Sequence, residues 1–305
     1  MSTDRMPAGN PSTVTTAAEA AALFRRPPDR HIAAGAVAGA GKVAVRTVGT
    51  GPDVLFVHGW PVTGATYRTL LPHLAPHVTC HVIDLVGAGS SEYDDSTPLS
   101  VDGHIAAVRR VVDEFGLDDV AVVGHDSGGM IVRHALAGDE RVRAMVLIDT
   151  EQPSGLSWRF KAFLAGRHLP GYGRALGWLV GRPRLRRLPL VLGGAFDDNA
   201  LLDGEFDEFF LRPISTNPTG RKAAIRLLDS FDTAHVYALA EVHRRIDVPV
   251  HLVWGEHDPF FPVAAARDMV GTFPDARLTV IEGASLFSHE ERPAAVAEAI
   301  LPTLT

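Results

Sequence analysis

Short apolar runs that alternate with amphipathic stretches constrain this chain more than any other feature. The runs cover residues 53–57, 78–83, 120–123, 143–148, 248–254 and 276–281. They are brief, bounded by turns and rich in Val, Ile and Leu, as strands buried on both faces tend to be. Helical stretches lie between them, at 63–74, 101–115, 128–137, 264–272 and 293–301. Strands alternating with helices predict an α/β fold with a mostly parallel sheet, because parallel neighbours need a crossover connection. Two more strands, 31–38 and 42–48, are joined by a Gly-rich turn and open the series.

The alternation stops after residue 151. Residues 158–164, 173–180, 203–210 and 220–229 read as helices, and no strand run appears among them. An insertion this long is not a plain loop. The chain therefore divides into a flexible leader (1–30), a core (31–151 and 240–305) and an inserted helical cap (152–239). The leader is polar, and its apolar stretch at 17–24 is interrupted by Glu19 and followed by Arg25-Arg26-Pro27-Pro28, which makes a poor signal peptide.

Composition narrows the function. Apolar residues are 46% of the 305, enough for a sizeable core, and a net charge of −7 argues against a nucleic-acid partner. No apolar run reaches the length of a membrane span. Cys80 is the single cysteine, so no intramolecular disulfide forms and a reducing cytoplasm fits. The 14 histidines invite a metal, but they are scattered singly and no H-E-x-x-H pattern exists, so no metal and no cofactor is expected. A small-molecule substrate and a monomer or homodimer are expected.

The most informative stretch runs from Val120 through Gly124-His125-Asp126-Ser127-Gly128-Gly129. A strand turns sharply into a helix, and such a turn needs small residues two places before and after its apex. For an apex at Asp126 those positions are Gly124 and Gly128. For an apex at Ser127 they would be His125 and Gly129, and the imidazole would clash. Asp126 is therefore the residue presented. A carboxylate there can attack carbon and form an enzyme ester; the plainer role is an N-cap of the helix that follows.

These residues resemble the α/β-hydrolase superfamily, and most closely its aspartate-nucleophile branch of epoxide hydrolases and dehalogenases. Gly124-His125-Asp126-Ser127-Gly128-Gly129 is similar to that branch's G-H-D-x-G-G elbow. His58-Gly59-Trp60-Pro61 is similar to its H-G-x-P loop, and residues 84–91 to its D-x-x-G-x-G-x-S loop. The resemblance implies an eight-stranded, mostly parallel sheet flanked by helices, with a cap. It implies an oxyanion hole from the backbone N–H groups of Trp60 and Ser127. It also implies an acid at Asp258, in Gly255-Glu256-His257-Asp258-Pro259, with Asp149 as the reserve.

The histidine departs from the pattern. In the branch it precedes the proline of G-x-x-H-F-x-x-E-E-x-P by seven residues. Here that place, seven before Pro293, holds Leu286, and the nearest histidine is His289. Three readings stand open: His289 is non-catalytic and the base position is empty, the loop is rearranged so that His289 serves, or the sequence is an inactive variant.

Ser127 after the nucleophile holds neither a halide nor a carboxylate well, and the cap offers Tyr172 and Tyr237 to protonate an opening ring. The resemblance thus implies an epoxide hydrolase, with Trp60, Tyr172, Tyr237, Leu286 and Phe287 around the substrate. A haloalkane or haloacetate dehalogenase, a non-hydrolytic ring-opening or cyclising enzyme, and a ligand-binding pseudoenzyme are the alternatives.

Overall fold

A computed structural model describes residues 14–35 and 39–305. Eight strands form one sheet: β1 (Arg30–Ala33), β2 (Lys42–Gly49), β3 (Asp53–Val57), β4 (Thr79–Asp84), β5 (Val120–His125), β6 (Val142–Ile148), β7 (Val250–Gly255) and β8 (Ala276–Ile281). Their order is β1-β2-β4-β3-β5-β6-β7-β8. β1 and β2 pair antiparallel at one edge, and every pair from β4 onward is parallel. The expected eight-stranded α/β sheet is what the chain forms.

Side chains alternate along each strand and feed two apolar layers. Leu55, Val57, Val122 and Leu147 face one layer, with Val108 and Val111 of the helix Val101–Phe115 and Met130 of the helix Ser127–Leu136. Val54, Phe56, Val123 and Ile148 face the other, with Leu71, Leu74 and Ile300. The segment expected as a flexible leader is partly built into this second layer. From Ala17 to Arg25 it is a helix with Thr16 in a capping box, and Ala20, Ala21 and Leu23 are buried. Arg25 at its end pairs with Glu205 and Glu208 of the insertion. Residues 1–13 lie outside the described residues, as do 36–38 of the strand expected at 31–38.

The insertion is helical. Trp158–Gly166, Tyr172–Val180, Arg212–Thr216, Pro218–Asp229 and Thr233–Tyr237 are α-helices, and Asp207–Leu211 is a π-helical turn. Arg186 is buried against Asp203 and Asp207, and Arg182 lies over the Trp178 ring at 4.0 Å. Among the described residues, no helix is long and apolar enough to cross a membrane.

Candidate active site

β5 ends at His125, and the chain reverses through Asp126 into the helix Ser127–Leu136. Asp126 has φ 51° and ψ −136°, a backbone state that L-residues avoid and that surrounding structure must impose. The imposition is steric. A Cβ on Gly124 would sit 2.7 Å from the Gly129 Cα, and one on Gly128 would run into the carbonyl oxygens of Val57 and His58. Strand and helix can approach this closely only with glycine at both positions. The apex is Asp126, where the glycine spacing predicts it.

The Asp126 carboxylate is gripped on one side. Its Oδ1 accepts from the Trp60 N–H at 3.1 Å and from the Ser127 N–H at 2.5 Å. These are the two donors the sequence nominates as an oxyanion hole. The Ser127 hydroxyl also donates a hydrogen bond to the carboxylate. Burial pushes the carboxyl up to about 6, and the two N–H donors work against that rise. Trp60 itself is anchored by its indole N–H, which donates to the Ala224 carbonyl of the insertion at 2.8 Å.

Asp126 forms part of the wall of a cavity of about 230 Å³ between the strand ends and the insertion. Core residues Trp60, Ser127 and Glu151 line it, and Phe160, Phe163 and Phe231 of the insertion close it with apolar surface. Ligands of open α/β sheets bind outside the carboxyl ends of the strands, and this cavity lies there.

Several expected site residues are elsewhere. His289 is fully buried against Tyr67 and His125 and donates from Nε2 to the Thr66 hydroxyl at 2.9 Å, while that hydroxyl donates to Glu290. Burial first, then the charges of His125 and Arg68, hold it well below the usual histidine range. It does not reach the cavity wall, so the rearranged-loop reading fails. Leu286 is a core residue whose carbonyl accepts from the His125 Nε2 at 3.0 Å. Phe287 stacks on Phe196, with centroids 4.9 Å apart, inside the core. Tyr172 is half-buried behind Phe163, and Tyr237 is 58% exposed against Gly155. None of these five lines the cavity.

The acids sit beneath the site. Asp258 is buried, with Oδ1 accepting from the Phe260 and Phe261 N–H groups and Oδ2 without a partner. Burial pushes it up to about 8. Asp149 follows β6 at φ 40°, takes the Gly255 N–H on Oδ1 and the Ser288 hydroxyl on Oδ2, and is raised well above the usual range by burial and by Asp258. With leucine at 286, no imidazole joins this pair to Asp126. The other cavity histidine near Asp126, His58, is locked neutral: Nδ1 donates to the Gly59 carbonyl and Nε2 accepts from the Leu85 N–H. Exposed His257 pairs instead with Asp197.

The residue that sequence reasoning missed is Glu151. It is buried, lines the cavity beside Asp126, and has one oxygen, Oε1, without a partner. Its signal was its place three residues past the end of the central strand β6, where α/β sheets put their chemistry.

Residues 52–293 match the family described as alpha/beta hydrolase fold. The chain belongs to that family. A pimeloyl-[acyl-carrier protein] methyl ester esterase of Chromobacterium violaceum is similar to this α/β hydrolase, 28% identical over 251 residues, covering 81% of this chain and 93% of that protein. The esterase of the same name from Xanthomonas campestris pv. campestris is 36% identical over 105 residues, but there the match spans only 39% of the relative's length and 34% of this chain. Among solved structures, an α/β-hydrolase-fold protein from Burkholderia ambifaria superposes with a TM-score of 0.72 at 24% identity, covering 86% of this chain and 94% of that one. The epoxide hydrolase CorEH gives 0.70 at 22% identity, covering 86% and 94%, which is likeness of fold alone.

These relatives overturn the expectation of an epoxide hydrolase, together with its dehalogenase, ring-opening and ligand-binding alternatives. The relatives similar over most of the chain are esterases by name. The site agrees on one point: the cap tyrosines that were to protonate an opening ring, Tyr172 and Tyr237, lie outside the cavity.

Proposed function

We propose that this α/β hydrolase cleaves a carboxylic ester with an apolar acyl part, and that Asp126 is its nucleophile. The observation that carries the proposal is the Asp126 carboxylate in the wall of an apolar cavity, with Oδ1 held by two backbone N–H groups. Oδ2 attacks the ester carbonyl and forms an acyl–aspartyl anhydride as the alcohol departs. Water then adds to the Asp126 carboxyl carbon, and the negative charge that builds on Oδ1 falls on the Trp60 and Ser127 donors already in place. An anhydride is an activated acyl group, so its hydrolysis asks less of a base than an alkyl ester would. This suits a site in which position 286 carries leucine. The names of the relatives support an ester substrate and make a methyl ester of an acyl chain the first compound to try.

The test is isotopic. Turnover in H₂¹⁸O, followed by digestion and mass spectrometry, should place ¹⁸O in the peptide that carries Asp126. Hydrolysis that leaves that peptide unlabelled, with Asp126→Asn as active as the parent, removes Asp126 as nucleophile, and a broad ester panel with no turnover removes the esterase reading.

A further inference from the structure

A carboxylate nucleophile solves only half of ester cleavage. An alkoxide is a poor leaving group and must collect a proton as it departs, and the water that follows must lose one. In a fold whose histidine position holds Leu286, some other cavity group has to move that proton. Besides Asp126 and His58, the titratable side chains in the cavity wall are Tyr93, His104 and Glu151.

Geometry separates them. Glu151 and Asp126 are tied to the same hydroxyl: Thr150 Oγ1 lies 2.7 Å from the Asp126 carbonyl and 3.0 Å from Glu151 Oε2. Arg133, wholly buried in the helix after the elbow, donates to that hydroxyl at 2.8 Å and to the Glu151 carbonyl at 2.9 Å. This holds the segment rigidly against the turn. Only one oxygen of Glu151 is used in the network. Oε1 is buried and unpartnered in a cavity wall, an expensive state for a carboxyl oxygen unless a ligand completes it. His104, although its Nδ1 is also unpartnered, is held down to about 3 by burial and the charge of His58. Burial raises Tyr93. Glu151 is pushed up to about 8, by burial first and by the Asp126 charge second, while Arg133 opposes the rise. Two neighbouring carboxyls with affinities driven apart are the arrangement that divides one site into an ionised partner and a protonated one.

We propose that Glu151 is the proton carrier of this site, acting first as acid and then as base in the role for which position 286 has no histidine. This rests on the ester reading above. In the first half, Asp126 Oδ2 bonds to the acyl carbon, the bond from that carbon to the alcohol oxygen breaks, and the alcohol leaves with the Glu151 proton. The products are an acyl–Asp126 anhydride and an ionised Glu151. In the second half, Glu151 takes a proton from water as the water oxygen adds to the Asp126 carboxyl carbon. The bond from that carbon to Oδ2 breaks, and the acyl carboxylate departs with Oδ2. Asp126 keeps the water oxygen and gives its remaining proton to the product acid. Ester and water become acid and alcohol, and both carboxyls return to their starting states.

The test compares two esters of one acyl group, a methyl ester and a nitrophenyl ester, in the full chain and in Glu151→Gln and Glu151→Asp. Nitrophenolate leaves without a proton, so the acid is dispensable for that ester and the base is not. Glu151→Gln should lower kcat/KM on the methyl ester by about 10²- to 10⁴-fold. On the nitrophenyl ester it should give a burst of about one nitrophenolate per chain, a slow steady state, and an acyl mass adduct on the Asp126 peptide. Glu151→Asp should restore part of the loss. An equal loss on both esters without a burst, or no loss on either, overturns the proposal. The parent protein gives a second readout if the variants do not fold. With Asp126 and Arg133 as the charged groups acting on Glu151, kcat/KM for the methyl ester should fall above about pH 8, and for the nitrophenyl ester it should not. The same fall for both esters overturns the proposal too. Failure of the ester reading itself looks different: the parent would then turn over neither ester, and an Asp126→Asn as active as the parent would remove Asp126 as nucleophile.

Discussion

The turn after β5 and the segment after β8 both belong to the catalytic edge of the sheet, and they have been treated very differently. At the turn, Gly124, Asp126 and Gly128 keep the geometry of a nucleophile elbow. After β8, residues 283–291 keep their place in the fold but present no base, and Ser288 donates to the acid Asp149. The turn is specified by backbone packing, where one added carbon meets a carbonyl oxygen. The base is specified by a single side chain, which can change while the surrounding backbone stays in place. On the reading proposed above, the backbone frame holds the nucleophile while the proton passes to a carboxyl kept beside it.

The sharpest way to break this contrast is to alter the backbone-specified side. Gly128→Ala places a methyl group against the carbonyls of Val57 and His58, and neither β3 nor the helix can yield without losing hydrogen bonds. We expect a loss of about 3 kcal/mol or more, read by chemical denaturation, with activity lost in parallel. A variant of parental stability would show that the close approach is not what shapes the turn. Asp126→Asn comes next. The amide keeps an oxygen for the Trp60 and Ser127 N–H groups, so the fold should survive, while ester turnover should drop by about 10³-fold or more. Circular dichroism and steady-state rates on one preparation check both halves.

The sequence shows the first side of the contrast and hides part of the second, for physical reasons. Glycines at 124 and 128 have a steric requirement that can be read from spacing alone, and the parallel sheet follows from the apolar runs. The leucine at position 286 is equally visible. What does not show is where side chains go once helices pack. Tyr172 and Tyr237 look like cavity residues because they lie in the insertion, but the rotation of a cap helix is set by tertiary contacts, and Phe160 and Phe163 take the inner face instead. Glu151 is unremarkable as a residue in a row. It becomes chemical only because a neighbouring hydroxyl, a buried arginine and the charge of Asp126 converge on it from other elements.

His289 tests the second side. Its Nε2 hydrogen bond to Thr66 and its packing on Tyr67 are structural, so His289→Ala should cost about 1–3 kcal/mol of stability through the cavity and the lost bond. Specific activity of the folded fraction should stay within about twofold, because the ring lies outside the cavity. Loss of turnover with stability unchanged would reverse both statements and return His289 to the chemistry.

The smallest effect on turnover is expected at Asp258, which the resemblance suggests as the acid. Its carboxyl is pushed from the ordinary 3.8 up to about 8 by burial, so the folded chain holds a proton that the unfolded chain releases. By linkage, that share of stability is fully present below about pH 4 and is lost as the pH climbs toward 8. Asp258→Asn removes the titration while keeping an oxygen for the Phe260 and Phe261 N–H groups. The parent and variant should therefore melt at similar temperatures near pH 4, and the variant should pull ahead by about 2 °C or more by pH 8. Asp126, Asp149 and Glu151 are raised in the same direction, so the parent's slope should shrink in the variant without vanishing. Parallel melting curves would mean that Asp258 is already ionised in the fold. Ester turnover should be nearly unchanged, since an acid that orients an imidazole has nothing to orient when residue 286 is leucine. A loss of about 100-fold would instead place Asp258 in the proton path, and Glu151 would then share the work assigned to it alone.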